Sequence, residues 1–261
     1  MAGMSLAAGT VARVVSVGRE LGLDLSQSQA EMLCRYIELM LRWNKTYNLT
    51  AIRDPQKMLV QHLYDSLSVV APLVRYAGAK PLSIMDVGSG GGLPGVVLAI
   101  VRPDWTVLCV DAVEKKTAFI RQVAGTLKLE NLSSRHARIE SLPAQQCDVV
   151  ISRAFASLVD FTSWSGHHVR EGGYMVAMKG KVPDDEINAL DTVGDWKLER
   201  IETLRVPELE GERCLLWLHA SPGSVSAEAV SGVEPARDSQ PESQYSQDGR
   251  AGVQTVQQGN R

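Results

Sequence analysis

A run of strand character, Ser83-Ile84-Met85-Asp86-Val87, leads without a break into Gly88-Ser89-Gly90-Gly91-Gly92, and Leu93-Pro94-Gly95 then opens an apolar helix. No other feature constrains the fold as tightly. Glycines let the backbone turn sharply and approach a ligand with no Cβ in the way. Strand, glycine loop and helix N-terminus in that order form the ligand-binding corner of an open α/β sheet, beyond the carboxyl ends of parallel strands.

The flanking chain fits that corner. Between Leu82 and Ala220, short β-rich runs alternate with amphipathic stretches. Strands are predicted at Ser83–Val87, Thr106–Asp111, Leu132–Arg135, Asp148–Ser152, Tyr174–Lys179, Trp196–Thr203 and Arg213–His219. Helices are predicted at Pro94–Val101, Glu114–Lys128, Leu158–Val169 and Asp184–Thr192. Such alternation implies right-handed crossovers and a mainly parallel sheet with both faces covered. No helix separates the last two strands, so they are expected as an antiparallel pair at one edge. Glu171-Gly172-Gly173-Tyr174 reads as the turn entering the fifth strand.

Val11 to about Pro72 reads as helical. Ser26-Gln27-Ser28-Gln29 has capping-box form, and Leu33, Ile37, Met40 and Leu41 recur behind it at helix spacing. Asn44 to Pro55 interrupts the pattern, and Pro55 suits the first position of another short helix. From Ser221 to Arg261 the chain is rich in Ser, Gln, Gly, Glu and Pro, too polar to offset the entropy of ordering. The expected organisation is a flexible N-terminus (1–10), a helical region (11–80), a ligand-binding domain (81–220) and a disordered tail (221–261).

Composition narrows the function classes. A chain of 261 residues, 44% hydrophobic and 22% charged, can bury one sizeable core plus an accessory element. No apolar run approaches the ~18 to 20 residues of a bilayer span. The start is small and uncharged, unlike a secretory signal, so the expected location is cytoplasmic, with no membrane partner. Cys34, Cys109, Cys147 and Cys214 are scattered, as are the histidines, and adjacent His167 and His168 on a helix would point about 100° apart. No metal is expected. With a net charge of −3, any polyanion must be met by a local basic face.

Gly90-x-Gly92-x-x-Gly95 alone also satisfies the dinucleotide fingerprint. Two features favour S-adenosylmethionine (AdoMet) instead. Asp86 stands two residues before the first glycine, where a carboxylate suits a cationic amino-acid moiety and repels a pyrophosphate. Pro94 removes an N–H from a helix N-terminus that an anion site would use. Asp111 ends the next strand, placed to grip ribose hydroxyls. Asp86 can equally cap the glycine loop, and Asp111 can be an ordinary strand-end turn residue. Arg138-Ile139-Glu140 follows the third strand, either against the adenine or as a solvated turn. The expected fold is a Rossmann-like class I AdoMet-dependent methyltransferase: a mainly parallel seven-stranded sheet with an antiparallel edge, preceded by an N-terminal helical extension.

Several segments are more specific than the glycine loop. They are Trp43-Asn44-Lys45-Thr46-Tyr47-Asn48-Leu49-Thr50, His62-Leu63-Tyr64-Asp65-Ser66-Leu67, Ile151-Ser152-Arg153-Ala154-Phe155-Ala156, Lys179-Gly180 and Gly211-Glu212-Arg213. With the loop they make the chain, from roughly Val11 to His219, resemble the RsmG (GidB) family of bacterial small-subunit rRNA guanine-N7 methyltransferases. The resemblance implies AdoMet contacts at Gly88, Leu93, Ile139, Glu140 and Arg153, beside the loop contact expected at Gly90. It also implies guanine 527 of 16S rRNA as substrate, free or in a small-subunit particle. A monomer is expected.

Guanine N7 carries a lone pair and no proton, so its methylation needs no general base. That agrees with Ser152-Arg153-Ala154-Phe155 standing where amine methyltransferases carry Asn/Asp-Pro-Pro-Tyr. Catalysis would rest on alignment and surrounding dipoles. Arg153 is the residue expected to position the reactants, through guanine O6, the cofactor carboxylate or a phosphate. Its structural alternative is a salt bridge to Asp148 or Asp160. Phe155 can stack on an extruded base or pack in the core. RNA-contact candidates are Arg42, Lys45, Arg53 and His62, with Lys115, Lys116, Arg121, Lys179 and Lys181 around the mouth of the sheet. Arg42 and Lys45 can equally complement a helix C-terminus. Competing functions are AdoMet-dependent methylation of a protein or small molecule, a non-catalytic ribosome assembly factor, and an NAD-dependent oxidoreductase.

Overall fold

A computed structural model describes residues 6–153 and 155–221. The expected tail lies outside them apart from Ser221, whose N–H donates to Asp195 O. Of the expected flexible N-terminus, residues 1–5 also lie outside.

The chain opens with α1 (Thr10–Glu20) and α2 (Gln27–Tyr47). The capping box forms: Ser26 Oγ accepts from Gln29 N–H at 3.1 Å, and the Gln29 side chain accepts from Ser26 N–H at 3.0 Å. α2 runs through Asn44, beyond the predicted interruption, and ends at Asn48 in the left-handed region (φ 49°). The buried Asn44 side chain explains the difference. Its Oδ1 accepts from Thr50 N–H at 2.9 Å and its Nδ2 donates to Ile52 O at 3.0 Å, so it fastens the loop that follows its own helix. Pro55 does open α3 (Pro55–Met58) behind an Asp54 cap. A π-helical turn (Leu59–Tyr64), α4 (Asp65–Leu67) and α5 (Val70–Ala77) follow.

The remaining elements alternate as β1 (Ser83–Val87), α6 (Gly95–Val101), β2 (Thr106–Asp111), α7 (Glu114–Leu127), β3 (Leu132–His136), β4 (Cys147–Ser152), α8 (Leu158–Ser165), β5 (Val169–Lys179), α9 (Asp184–Val193), β6 (Trp196–Thr203) and β7 (Cys214–Ala220). They form one seven-stranded sheet in the order β3-β2-β1-β4-β5-β7-β6. β1 to β5 are parallel, and β7 lies antiparallel between β5 and β6. This is the class I methyltransferase sheet. Order reverses between β1 and β4, so the glycine loop after β1 sits at the switch point.

Two predicted boundaries move. The helix expected to reach Val169 stops at Ser165, passes through a 3₁₀ turn (Gly166–His168), and Val169 already pairs with Cys147. The segment Glu171–Tyr174, expected as a turn entering the strand, lies inside β5: residues 170–173 bulge out before Tyr174 pairs with Val149. Gly172 takes φ +71° there, and a Cβ on Gly173 would stand 2.8 Å from Asp148 O. The glycines thus permit a kink inside a strand rather than a break before it.

Alternate strand residues feed two cores. Ile84, Val107, Val149 and Ile151 belong to the core shared with α2, α6 and α7, whereas Met85, Val87, Val110 and Val150 belong to that of α8 and α9. Leu33, Tyr36, Ile37 and Met40 of α2 are fully buried in the first, each contributing roughly 1.5–3 kcal/mol. Tyr36 Oη donates to Gly91 O at 2.6 Å and Gln29 Nε2 to Val101 O at 2.9 Å. The helical extension is thereby pinned to the glycine loop itself. No helix among the described residues is long and apolar enough to cross a membrane.

Candidate active site

The glycine loop is held from beneath by two carboxylates. Asp86 is fully buried and its Oδ2 accepts from Gly95 N–H at 2.8 Å, fixing the first turn of α6. A Cβ on Gly95 would lie 2.4 Å from Cys109 Sγ, which is why strand and helix can approach so closely here. Asp111 Oδ2 accepts from Gly90 N–H at 2.9 Å, and its Oδ1 from Val113 N–H at 2.8 Å. Both acids therefore act first on the loop's own backbone. Neither lines the cavity above it.

Gly88 and Gly90 take φ of +66° and +58°, and a Cβ on either would meet nothing within 4 Å. They face a cavity of about 160 Å³ lined by Met40, Leu49, Thr50, His62, the loop from Gly88 to Gly91, Leu93, Lys116 and Arg153. Four of those residues, Met40, Leu49, Thr50 and His62, come from the helical extension, which the sequence divides off as a separate region. A second cavity of about 320 Å³ abuts it, with His62 and Arg153 common to both.

Arg153 extends from the end of β4 towards the extension. Its Nη1 lies 3.3 Å from Gln61 O, 3.4 Å from His62 Nδ1 and 3.5 Å from Asp65 Oδ2. The anticipated alternative partners are engaged elsewhere or distant: Asp148 pairs with Arg170 at 2.6 Å and accepts from Ser83 N–H at 2.7 Å, and Asp160 makes no ion pair with Arg153. Asp65 is the acid that Arg153 meets. Its other oxygen accepts from Arg213 Nε at 2.9 Å. Asp65, like Asn44 and Tyr36, was not identified from sequence; its partners lie far along the chain, and its one signal was its place in the His62–Leu67 segment.

His62, expected as an RNA contact, is 7% exposed and sits between the cavities. Burial, with the nearby Arg153 charge, lowers its pKa to about 4, so it is neutral at pH 7. Thr50 Oγ1 lies 2.9 Å from its Nε2. Lys179 is also not a free surface cation: its side chain is 15% exposed and paired with Glu186 at 2.8 Å. Lys116 lies 3.6 Å from Asp111 at the cavity edge. Arg42, Lys45, Arg53, Lys115, Arg121 and Lys181 are exposed. Phe155 is half-buried against Phe161 and Trp164, with ring centroids 5.3 and 5.6 Å away. Ile139 and Glu140 form a 3₁₀ turn after β3, one buried and one exposed, and line neither cavity.

The loop fits AdoMet on its own geometry. Open space stands over Gly88 and Gly90, Ser89 Oγ in the cavity wall is buried with no hydrogen-bond partner among the described residues, and a guanidinium borders the cavity as a donor for a carboxylate.

Comparison with known proteins places this geometry. Residues 29–216 match the GidB family, rRNA small subunit methyltransferase G. The Ribosomal RNA small subunit methyltransferase G of Bordetella pertussis is 61% identical over 222 residues, covering 83% of this chain and 96% of the relative. That of Leptothrix cholodnii is 52% identical over 207 residues, covering 79% and 93%. Among solved structures, magnesium protoporphyrin IX methyltransferase from Synechocystis PCC 6803 with bound SAM superposes with a TM-score of 0.52 at 15% identity, over 71% of this chain and 97% of that one, a likeness of fold. The matched family span runs from the first turns of α2 to β7 and takes in both cavities, and the chain belongs to the rRNA small subunit methyltransferase G (GidB) family.

Proposed function

We propose that this chain transfers the methyl group of AdoMet to N7 of guanine 527 in 16S rRNA, acting in the cytoplasm as a monomer on free rRNA or a small-subunit particle. Family membership supports the rRNA methyltransferase activity. The observation that carries the N7 assignment is the wall between the two cavities. A guanidinium donates and does not accept, the His62 imidazole is held as a very weak base, and both Asp65 oxygens face guanidinium groups. Such a wall suits an acceptor atom that carries no proton.

AdoMet supplies an electrophilic methyl on a sulfonium. With AdoMet bound, the N7 lone pair would take that methyl as the C–S electron pair returned to sulfur, so no proton would have to leave the base. In this reading Gly88, Gly90 and Leu93 line the cofactor site, Asp86 and Asp111 shape its loop, Ile139 and Glu140 approach the adenine, and Arg153 orients the reactants. Arg42, Lys45, Arg53, Lys115, Arg121 and Lys181 are the exposed candidates for RNA contact. Incubation with methyl-labelled AdoMet and a mixture of rRNA and cell protein tests the substrate class: label is expected in rRNA, and label in protein alone would overturn the reading.

A further inference from the structure

The second cavity carries positive charge that its own residues do not balance. Lys179 on its wall is paired with Glu186. Arg153 and Arg213, however, share the single carboxylate of Asp65, at 3.5 and 2.9 Å. Asp65 is sealed at 4% exposure, while the Arg213 side chain is 29% exposed. Nε of Arg213 is held by Asp65 and its Nη1 donates to Glu212 O at 2.7 Å. Its Nη2 has no partner among the described residues. A guanidinium anchored on one edge with a free corner is a ready donor to an anionic oxygen. Beside the cations, Ile52, Met178 and Leu204 supply apolar lining. Apolar and cationic surfaces side by side suit a heterocycle joined to a phosphate.

We propose that this second cavity is the acceptor-nucleotide pocket, in which the base rests on Ile52, Met178 and Leu204 while Arg213, held by Asp65, takes a phosphate of the RNA strand. The proposal rests on the functional reading above. It places the acceptor across the His62–Arg153 wall from the cofactor loop, the side from which a methyl group can be received. Asp65 is then a positioning residue that fixes both guanidiniums.

The test uses the full chain and 16S rRNA. Arg213→Gln removes the cation; Gly180→Leu adds bulk at the cavity, where a Cβ meets its nearest neighbour only at 3.8 Å. Both variants are expected to bind AdoMet with a Kd within about threefold of wild type. Arg213→Gln is expected to weaken rRNA binding about tenfold and to lower the slope of log Kd against log salt by about one, and Arg213→Lys to restore that slope. Gly180→Leu is expected to cut single-turnover rRNA methylation at least tenfold. The proposal is overturned if Arg213→Gln keeps the wild-type rRNA affinity and salt slope. Should that variant not fold, Gly180→Leu decides, and wild-type methylation by it overturns the proposal. A wild-type protein that transfers no methyl to rRNA fails the parent reading itself, and this inference falls with it.

Discussion

Asp65, in the helical extension, lies with Oδ2 3.5 Å from Nη1 of Arg153, at the end of the fourth strand. Every polar contact recorded for Arg153 runs through that one nitrogen at 3.3 to 3.5 Å, beyond the usual 2.7–3.2 Å of an N–H···O bond. Asp65 thus anchors one corner of the guanidinium, and the other nitrogens of Arg153 have donors left for a ligand. Arg153→Lys should keep the charge and melt within a few degrees of wild type, since a cation still faces Asp65, whose other oxygen stays bound to Arg213. It should lose at least tenfold in single-turnover methylation, because an ammonium cannot reproduce the planar fork. If Arg153→Lys and Arg153→Ala both methylate at near wild-type rate, or lose activity only as they lose stability, Arg153 is scaffold.

Gly90 supports a second prediction. Its φ of +58° is costly for a branched residue, and the space above it belongs to the cofactor cavity. Gly90→Val should lower stability by about 1–3 kcal/mol and abolish AdoMet binding while the fold persists. Calorimetric titration alongside circular dichroism checks both, and a folded variant with unchanged affinity would remove the loop from the cofactor site.

Asp86 gives the protein a pH signature. Burial pushes its carboxyl up to about 7, against the pull of the Gly95 N–H and of Arg153. The folded value lies above the unfolded one, so its contribution is fully present below about pH 4, declines progressively as pH rises, and is lost above about 7. Asp86→Asn removes the buried charge and leaves an amide oxygen for Gly95 N–H. Its stability relative to wild type should therefore rise between about pH 4 and pH 7 and level off above that, by an amount on the order of a few kcal/mol at the limit. Melting temperatures of both proteins across that range measure it; a difference independent of pH would mean that Asp86 stays ionised throughout.

What the sequence revealed was local. A glycine loop between a β-rich run and an apolar helix, a capping box at Ser26 and helix-spaced leucines are each written within a dozen residues, and they gave the sheet, its cofactor corner and the helical extension. The links that close the site are not local. Tyr36 reaches Gly91, Asp65 reaches Arg153 and Arg213, and Lys179 turns to Glu186. Each looked like an ordinary core, surface or RNA-facing residue because only packing of the extension and the last strand onto the sheet's mouth brings its partner near. His62 shows the same limit: a histidine in a polar-looking segment reads as a cation for RNA, and only its burial beside a guanidinium makes it neutral. Asp86 and Asp111 were placed correctly at strand ends, yet what they hold first is backbone N–H rather than ligand.

The central claim is that the acceptor is guanine N7 and that the site needs no proton acceptor. Its most direct test is base-resolved mapping of 7-methylguanine, by reduction and strand scission at the methylated base, in 16S rRNA incubated with this protein and AdoMet. The account predicts cleavage at one guanine, position 527, dependent on both protein and cofactor and absent with Gly90→Val. Methyl incorporation that leaves every guanine resistant to scission, or that falls on an exocyclic amine or a ribose hydroxyl, would contradict it.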